Sequence, residues 1–252
     1  MDVRRRDRLL IPLLALACYA LALAQRPGWA VSDTKIDLHV DPTRFLADAA
    51  APWTTDISLG HVQSGQYGGY LWPMGPFFAL LREIGLAPWV VQRLWLGTLL
   101  FLAAWGTVKL LDALLKRDRG IAHVVAAAAF VLNPYVVTYT SRVSVSLLAY
   151  AALPWLLLLV HRGLRDRGGA GWLMPALFAL VVTSSGGGIN AAVTAWALLG
   201  PALLLLYEPA LKLVPWRAAW WFAWRTALLG AITSLWWVVP LLVQSKFGLP
   251  FL

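Results

Sequence analysis

Seven apolar runs, each near the length that crosses a bilayer, recur along the 252 residues and decide what this chain can be. An α-helix rises about 1.5 Å per residue and must cross about 30 Å of hydrocarbon, so runs near 20 residues are the informative ones. They cover Leu9–Ala24, Trp89–Leu111, Ile121–Val137, Ser146–Val160, Trp172–Thr183, Ile189–Leu206 and Thr226–Val243. With 60% hydrophobic and 13% charged side chains, the composition lies outside that of a soluble enzyme. The expected fold class is an all-α polytopic membrane protein, a transmembrane helix bundle of about seven spans. The fifth run is short, so it is expected to start earlier, to break at Ser184-Ser185-Gly186-Gly187-Gly188, or to re-enter the membrane.

The formal charge of +9 then has to be read by position along the spans rather than as a nucleic-acid footprint. With the amino terminus inside, fourteen of the 21 Lys and Arg fall on cytoplasmic segments: Arg4, Arg5, Arg6 and Arg8, then Lys109 to Arg119, then Arg162 to Arg167, then Lys212 to Arg225. The positive-inside bias orients the chain with its amino terminus cytoplasmic. A cleaved leader ending at Ala22-Leu23-Ala24 is the competing reading of the first run, but an uncleaved first helix keeps the charge bias consistent. The single cysteine, Cys18, excludes a disulfide framework and a cysteine-based metal site. Many of the 15 Trp, among them Trp216, Trp220, Trp221, Trp224, Trp236 and Trp237, stand at span edges and read as interfacial anchors. No Walker loop or Gly-x-Gly-x-x-Gly is present, so nothing supports a nucleotide-fuelled step.

The chemistry is expected in the one substantial extramembrane segment, residues 25–88, an extracytoplasmic loop. It holds Asp33, Asp37, Asp41, Asp48, Asp56 and Glu83 with Lys35, His39, Arg44 and His61, beside Tyr67, Tyr70 and Trp72. Asp33 follows the Pro27-Gly28 break and should stand at the outer membrane surface, where partial desolvation and a neighbouring Lys35 suit a general base. Asp41, Asp48 and Asp56 read as loop-solvating. The glycine- and aromatic-rich stretch Gly60–Pro76 lets backbone approach a ligand while rings stack on a sugar. His39 and His61 lack zinc-site spacing, and no metal site is expected. Phe77–Ile84 reads as a short amphipathic helix lying in the interface. On the same side, Asn133–Arg142 ends the third span with hydroxyls and one arginine that can meet a lipid phosphate, and the Ser184–Asn190 loop offers backbone N–H groups to an anion.

Three stretches carry a family resemblance: Pro27-Gly28-Trp29-Ala30-Val31-Ser32-Asp33-Thr34-Lys35-Ile36-Asp37-Leu38, Trp72-Pro73-Met74-Gly75-Pro76-Phe77-Phe78, and Leu132-Asn133-Pro134-Tyr135. Together with an amino-terminal helix, a large outer loop with an acidic pair and an interfacial helix, they resemble GT-C glycosyltransferases, and among these the amino-terminal region of the alpha-(1->3)-arabinofuranosyltransferase D family. The resemblance implies that residues 1–252 are the opening part of a longer GT-C protein whose carboxyl-terminal remainder lies downstream. It implies a plasma-membrane glycosyltransferase that takes arabinofuranose from decaprenyl-phosphate-arabinose and passes it, with inversion, to cell-envelope arabinan (arabinogalactan or lipoarabinomannan) at the extracytoplasmic face. In that scheme Asp33 is the base and Asp37 a secondary carboxylate. Lys35 and Arg142 are assigned to the phosphate by charge and side, and His61 and Tyr67 to sugar contact. Membrane lipids are partners, nucleic acid is not, and no cofactor is expected, a divalent metal being left open. The alternatives are another polyprenyl-phosphate-sugar transferase, a lipid-linked sugar transporter, or an accessory membrane subunit.

Overall fold

The computed structural model describes residues 3–31, 33, 35–54, 61–62, 66–115, 119–140, 142–166 and 171–247. Its long helices fall on the apolar runs. They are α1 (Val3–Leu23), α6 (Pro88–Leu115), α9 (Ser146–Gly163), α11 (Ala191–Ala210) and α12 (Trp216–Ser245), with the shorter α10 (Leu173–Thr183) between α9 and α11. The third run is not one straight helix. It divides into α7 (Ile121–Val131) and α8 (Pro134–Thr140), bent by 50° where Asn133-Pro134 interrupts the backbone ladder. Among the described residues four helices are long and apolar enough to cross a membrane by themselves, five if the bent pair is one span, where about seven were expected, while Leu9–Leu23 and Leu173–Thr183 are shorter apolar helices. The fold class stands as an all-α membrane bundle.

Helices that are apolar all round have no amphipathic stripe to set their packing, so small residues and buried hydrogen bonds do it. α1 lies on α6 where a Cβ at Gly97 would come within 2.4 Å of the Tyr19 ring, and the Tyr19 hydroxyl pairs with Thr98 at 2.9 Å. α6 meets α9 at Gly106, against Trp155, whose indole N–H donates to the Leu102 carbonyl at 2.9 Å. α9 then carries α10 and α11, and α12 packs on α10. On the basic side Glu208, 3% exposed, is held by His161 Nδ1 at 2.8 Å and Arg165 Nη1 at 2.6 Å, so its charge is compensated.

Between α1 and α6 the intervening segment folds into α2 (Ile36–Val40), α3 (Pro42–Ala50), a two-residue antiparallel pair of β1 (Trp53–Thr54) with β2 (His61–Val62), α4 (Gln66–Gly69) and α5 (Met74–Glu83). Asp41 starts α3 by accepting the Arg44 N–H at 3.0 Å, with Pro42 at the first helical position. Asp48 is solvated as expected, paired loosely with Arg44 at 3.9 Å, whereas Asp56 lies outside the described residues. The helix expected at Phe77–Ile84 exists, but its apolar side faces protein: Met74 and Phe78 are buried as α5 packs on α2, α3 and α6. Leu80 on α5 and Ile84 just after it, 64% and 66% exposed, are the apolar side chains left uncovered there.

Two expectations change. The Ser184–Asn190 loop serves packing: a Cβ on Gly69 would sit 2.2 Å from the Gly188 carbonyl carbon, and Trp72 Nε1 donates to Ser184 Oγ at 2.8 Å. Nor are the tryptophans uniformly interfacial. Trp216 and Trp220 are exposed, but Trp221 and Trp224 join Trp172 around the guanidinium of buried Arg225 at 4.8–5.3 Å, and Trp236 donates to Thr183 Oγ1 at 2.9 Å.

Candidate functional site

The stretch after α1 has no regular structure of its own, so its course is set by what α6 offers it. Val31 donates its N–H to Gln92 Oε1 at 2.7 Å and receives Gln92 Nε2 at its carbonyl at 2.8 Å, the paired contact a neighbouring strand would make. Arg93, 2% exposed, donates to Gln25 Oε1 at 2.9 Å and to the Trp29 carbonyl at 3.1 Å. These two adjacent side chains at the amino-terminal end of α6 pin residues 25–31 and deliver Asp33 to its place.

Asp33 is 8% exposed. Its Oδ1 accepts the Ser144 N–H at 3.1 Å and its Oδ2 accepts the Ser144 hydroxyl, while Ser144 Oγ itself accepts the Trp95 indole N–H at 3.1 Å. One residue thus engages both carboxylate oxygens from the turn between α8 and α9, and an indole on α6 orients that residue in turn. The arrangement is a pre-oriented buried carboxylate, the geometry a general base requires before its strength matters.

Lys35 and Tyr67 come together as two members of one cluster: the Lys35 ammonium lies 4.0 Å from the Tyr67 ring centroid, and Phe45 stacks behind that ring at 5.6 Å. Arg142 is exposed, in the same turn as Ser144, two residues before the group that holds Asp33. Asp37 is exposed on α2, one helical turn from Asp33 in sequence but outside its buried surroundings. His61 pairs with Thr54 through backbone in β2, and its side chain lies outside the described residues. Among the described residues no three His, Cys, Asp or Glu side chains gather as metal ligands.

Sequence reasoning missed Gln92, Arg93, Trp95 and Ser144 as site residues. A signal was present for two of them: Gln92-Arg93 is a polar pair within the apolar run Trp89–Leu111, and polar groups at membrane depth are expensive unless they bond. Replacing Gln92 by Leu removes both contacts to Val31, and we expect a loss of about 1–2 kcal/mol in stability. Thermal unfolding in detergent checks it, and an unchanged midpoint would show that the two contacts do not hold the segment.

Residues 17–252 match the family model described as alpha-(1->3)-arabinofuranosyltransferase, N-terminal GT-C domain. The chain belongs to this family. The alpha-(1->3)-arabinofuranosyltransferase of Mycolicibacterium smegmatis is 37% identical over 95% of the chain, and that of Mycobacterium tuberculosis 35% identical over 96%. The cryo-EM structure of mycobacterial arabinofuranosyltransferase AftD superposes with a TM-score of 0.82 at 33% identity over 94% of the chain, and one of its variants with 0.83. The chain spans 16% and 17% of the length of those two curated relatives. Membership in this family of GT-C membrane glycosyltransferases, with the apolar helices above, makes the chain a multi-pass membrane protein.

Proposed function

We propose that this GT-C domain carries the base of an arabinofuranosyltransferase that works at the extracytoplasmic face of the plasma membrane, with the amino terminus cytoplasmic. The observation that carries the reading is the Asp33 carboxylate, buried and oriented by Ser144 in the segment between α1 and α6. The donor is decaprenyl-phosphate-arabinose and the acceptor a growing arabinan chain. Asp33 removes the proton of the acceptor hydroxyl as its oxygen attacks the anomeric carbon from the face opposite the phosphate. The bond from that carbon to the phosphate oxygen breaks, its electron pair leaves with the lipid phosphate, and configuration inverts. Lys35 and Arg142 meet the charge that develops on the phosphate. Tyr67 contacts sugar beside Lys35, His61 does so from β2, and Asp37 orients the acceptor from solvent.

Arg142→Ala in the full-length transferase is expected to raise KM for the lipid donor about tenfold and leave KM for the arabinan acceptor within about twofold. Equal changes in both would end the phosphate role. Competition between decaprenyl-phosphate-arabinose and a polyprenyl-phosphate mannose tests the sugar, and transfer of mannose at the same efficiency would replace the donor assignment.

Orientation is checked by labelling. Cys18 is buried, so Asp48→Cys on exposed α3 adds one accessible thiol. A membrane-impermeant maleimide is expected to label it in intact cells, and labelling only after permeabilisation would invert the topology.

A further inference from the structure

The Asp33 carboxylate ends a chain of hydrogen bonds that begins on α6. Trp95 is 3% exposed and Ser144 1%, so bulk water does not compete for the bonds they make. An indole nitrogen can only donate, whereas a serine oxygen has two lone pairs and one hydrogen. With the Trp95 N–H on Ser144 Oγ at 3.1 Å, that oxygen accepts from one side and gives its hydrogen to Asp33 Oδ2. The direction is fixed along the chain, from indole to hydroxyl to carboxylate. Donation into Oγ also strengthens the bond that Oγ makes in turn.

Packing from two further elements fixes the indole. Phe77 and Phe78 on α5 lie 5.2 and 6.2 Å from the Trp95 ring, at interplanar angles of 60° and 63°, and Phe78 is fully buried. His39, on the α2 helix that follows Asp33 in the chain, stands edge-on to Phe78 at 4.9 Å. The contacts run in a ring, from Asp33 through α2, α5, α6 and the turn before α9 back to Asp33. A serine hydroxyl with no such donor turns readily to a nearby backbone carbonyl. Here the fixed indole keeps the Ser144 hydroxyl on the carboxylate instead.

We infer that Trp95 is a positioning residue of the transfer: its N–H, rather than its ring, keeps the Ser144 hydroxyl on Asp33 and so holds the base aimed at the acceptor. The inference rests on Asp33 being that base. Trp95 touches no reacting atom and adds no step, since the proton of the acceptor hydroxyl still goes to Asp33. It acts through Ser144 alone. A residue of this kind changes how often bound substrates meet the base in the productive geometry and leaves their binding as it was.

The test removes the N–H and keeps the ring. In the full-length transferase Trp95 is replaced by 3-benzothienylalanine, in which sulfur stands where the indole N–H was and the bicyclic shape is preserved. We expect kcat to fall about tenfold, KM for donor and acceptor to stay within about twofold, and the unfolding midpoint in detergent to stay close to wild type. Ser144→Ala is expected to cost about the same, and the two changes together no more than either alone, because the second has nothing left to remove. Wild-type kcat in the isostere, or a double variant whose loss is the product of the two single losses, overturns the inference and leaves Trp95 a packing residue. Trp95→Phe, which also lacks the N–H, is the second variant: its kcat is expected to match that of the isostere, and a wild-type value overturns the inference as well. Asp33→Asn in the same membranes separates the two readings. If it keeps turnover, the base assignment fails and the inference with it; if it loses turnover beside multiplicative Trp95 and Ser144 losses, only the role of Trp95 ends.

Discussion

Asp33→Asn in the full-length transferase is expected to lower arabinose transfer by about 10²–10⁴-fold while the protein still folds and inserts. Asparagine keeps the shape and one carbonyl oxygen, so it can still accept from Ser144, but it cannot take a proton from a hydroxyl. The comparison is transfer from decaprenyl-phosphate-arabinose to a synthetic arabinan acceptor in matched membranes, with unfolding in detergent as the control. Ser144 sharpens the test. Ser144→Ala keeps the backbone N–H to Oδ1 and loses the hydroxyl to Oδ2, so it should cost far less than Asp33→Asn, and a loss as large as the aspartate's would move the chemistry to the serine. Turnover retained in Asp33→Asn would move the base to another residue.

Gly69→Ala carries the largest structural effect. The added methyl would stand 2.2 Å from the Gly188 carbonyl carbon, 2.3 Å from its oxygen and 2.4 Å from the Ile189 nitrogen, all backbone atoms that no rotamer change can move aside. A Cβ on Gly188 would likewise meet the Gly69 Cα at 3.0 Å and the Trp237 Cβ at 3.1 Å, so Gly69, Gly188 and Trp237 crowd one point. The outer segment must lift from the loop between α10 and α11. Overpacking costs about 1–3 kcal/mol where neighbours can relax, and the upper end is expected here. Limited proteolysis of the outer segment in Gly69→Ala should speed up well beyond the wild type, with the hydrogen bond from Trp72 to Ser184 lost. A variant as resistant as the wild type would show that the two backbones do not meet. Gly28→Ala is the control: nothing lies within 4 Å of its Cβ, and only the positive φ of +83° opposes it.

The sequence by itself determined a helical membrane bundle, because hydropathy is a local property and water-free surroundings demand helix, but not the span count: against about seven expected, four helices, or five with the bent pair, are long and apolar enough to cross among the described residues. It also determined which segment lies between the first two long helices and, through three short stretches, the family. Asp33 was legible as a candidate from its place after the Pro27-Gly28 break, and Lys35 with Tyr67 from their company in one loop. Only the tertiary structure decided what surrounds them. Ser144 is 111 residues from Asp33, Gln92 is 61 from Val31, and Ser184 is 112 from Trp72. Such partners are chosen by packing, and no periodicity in the chain encodes them. The glycines of residues 184–190 show the same limit: a run of Gly reads equally as an anion nest or as a flexible break between helices, and only the structure sets Gly69 against it.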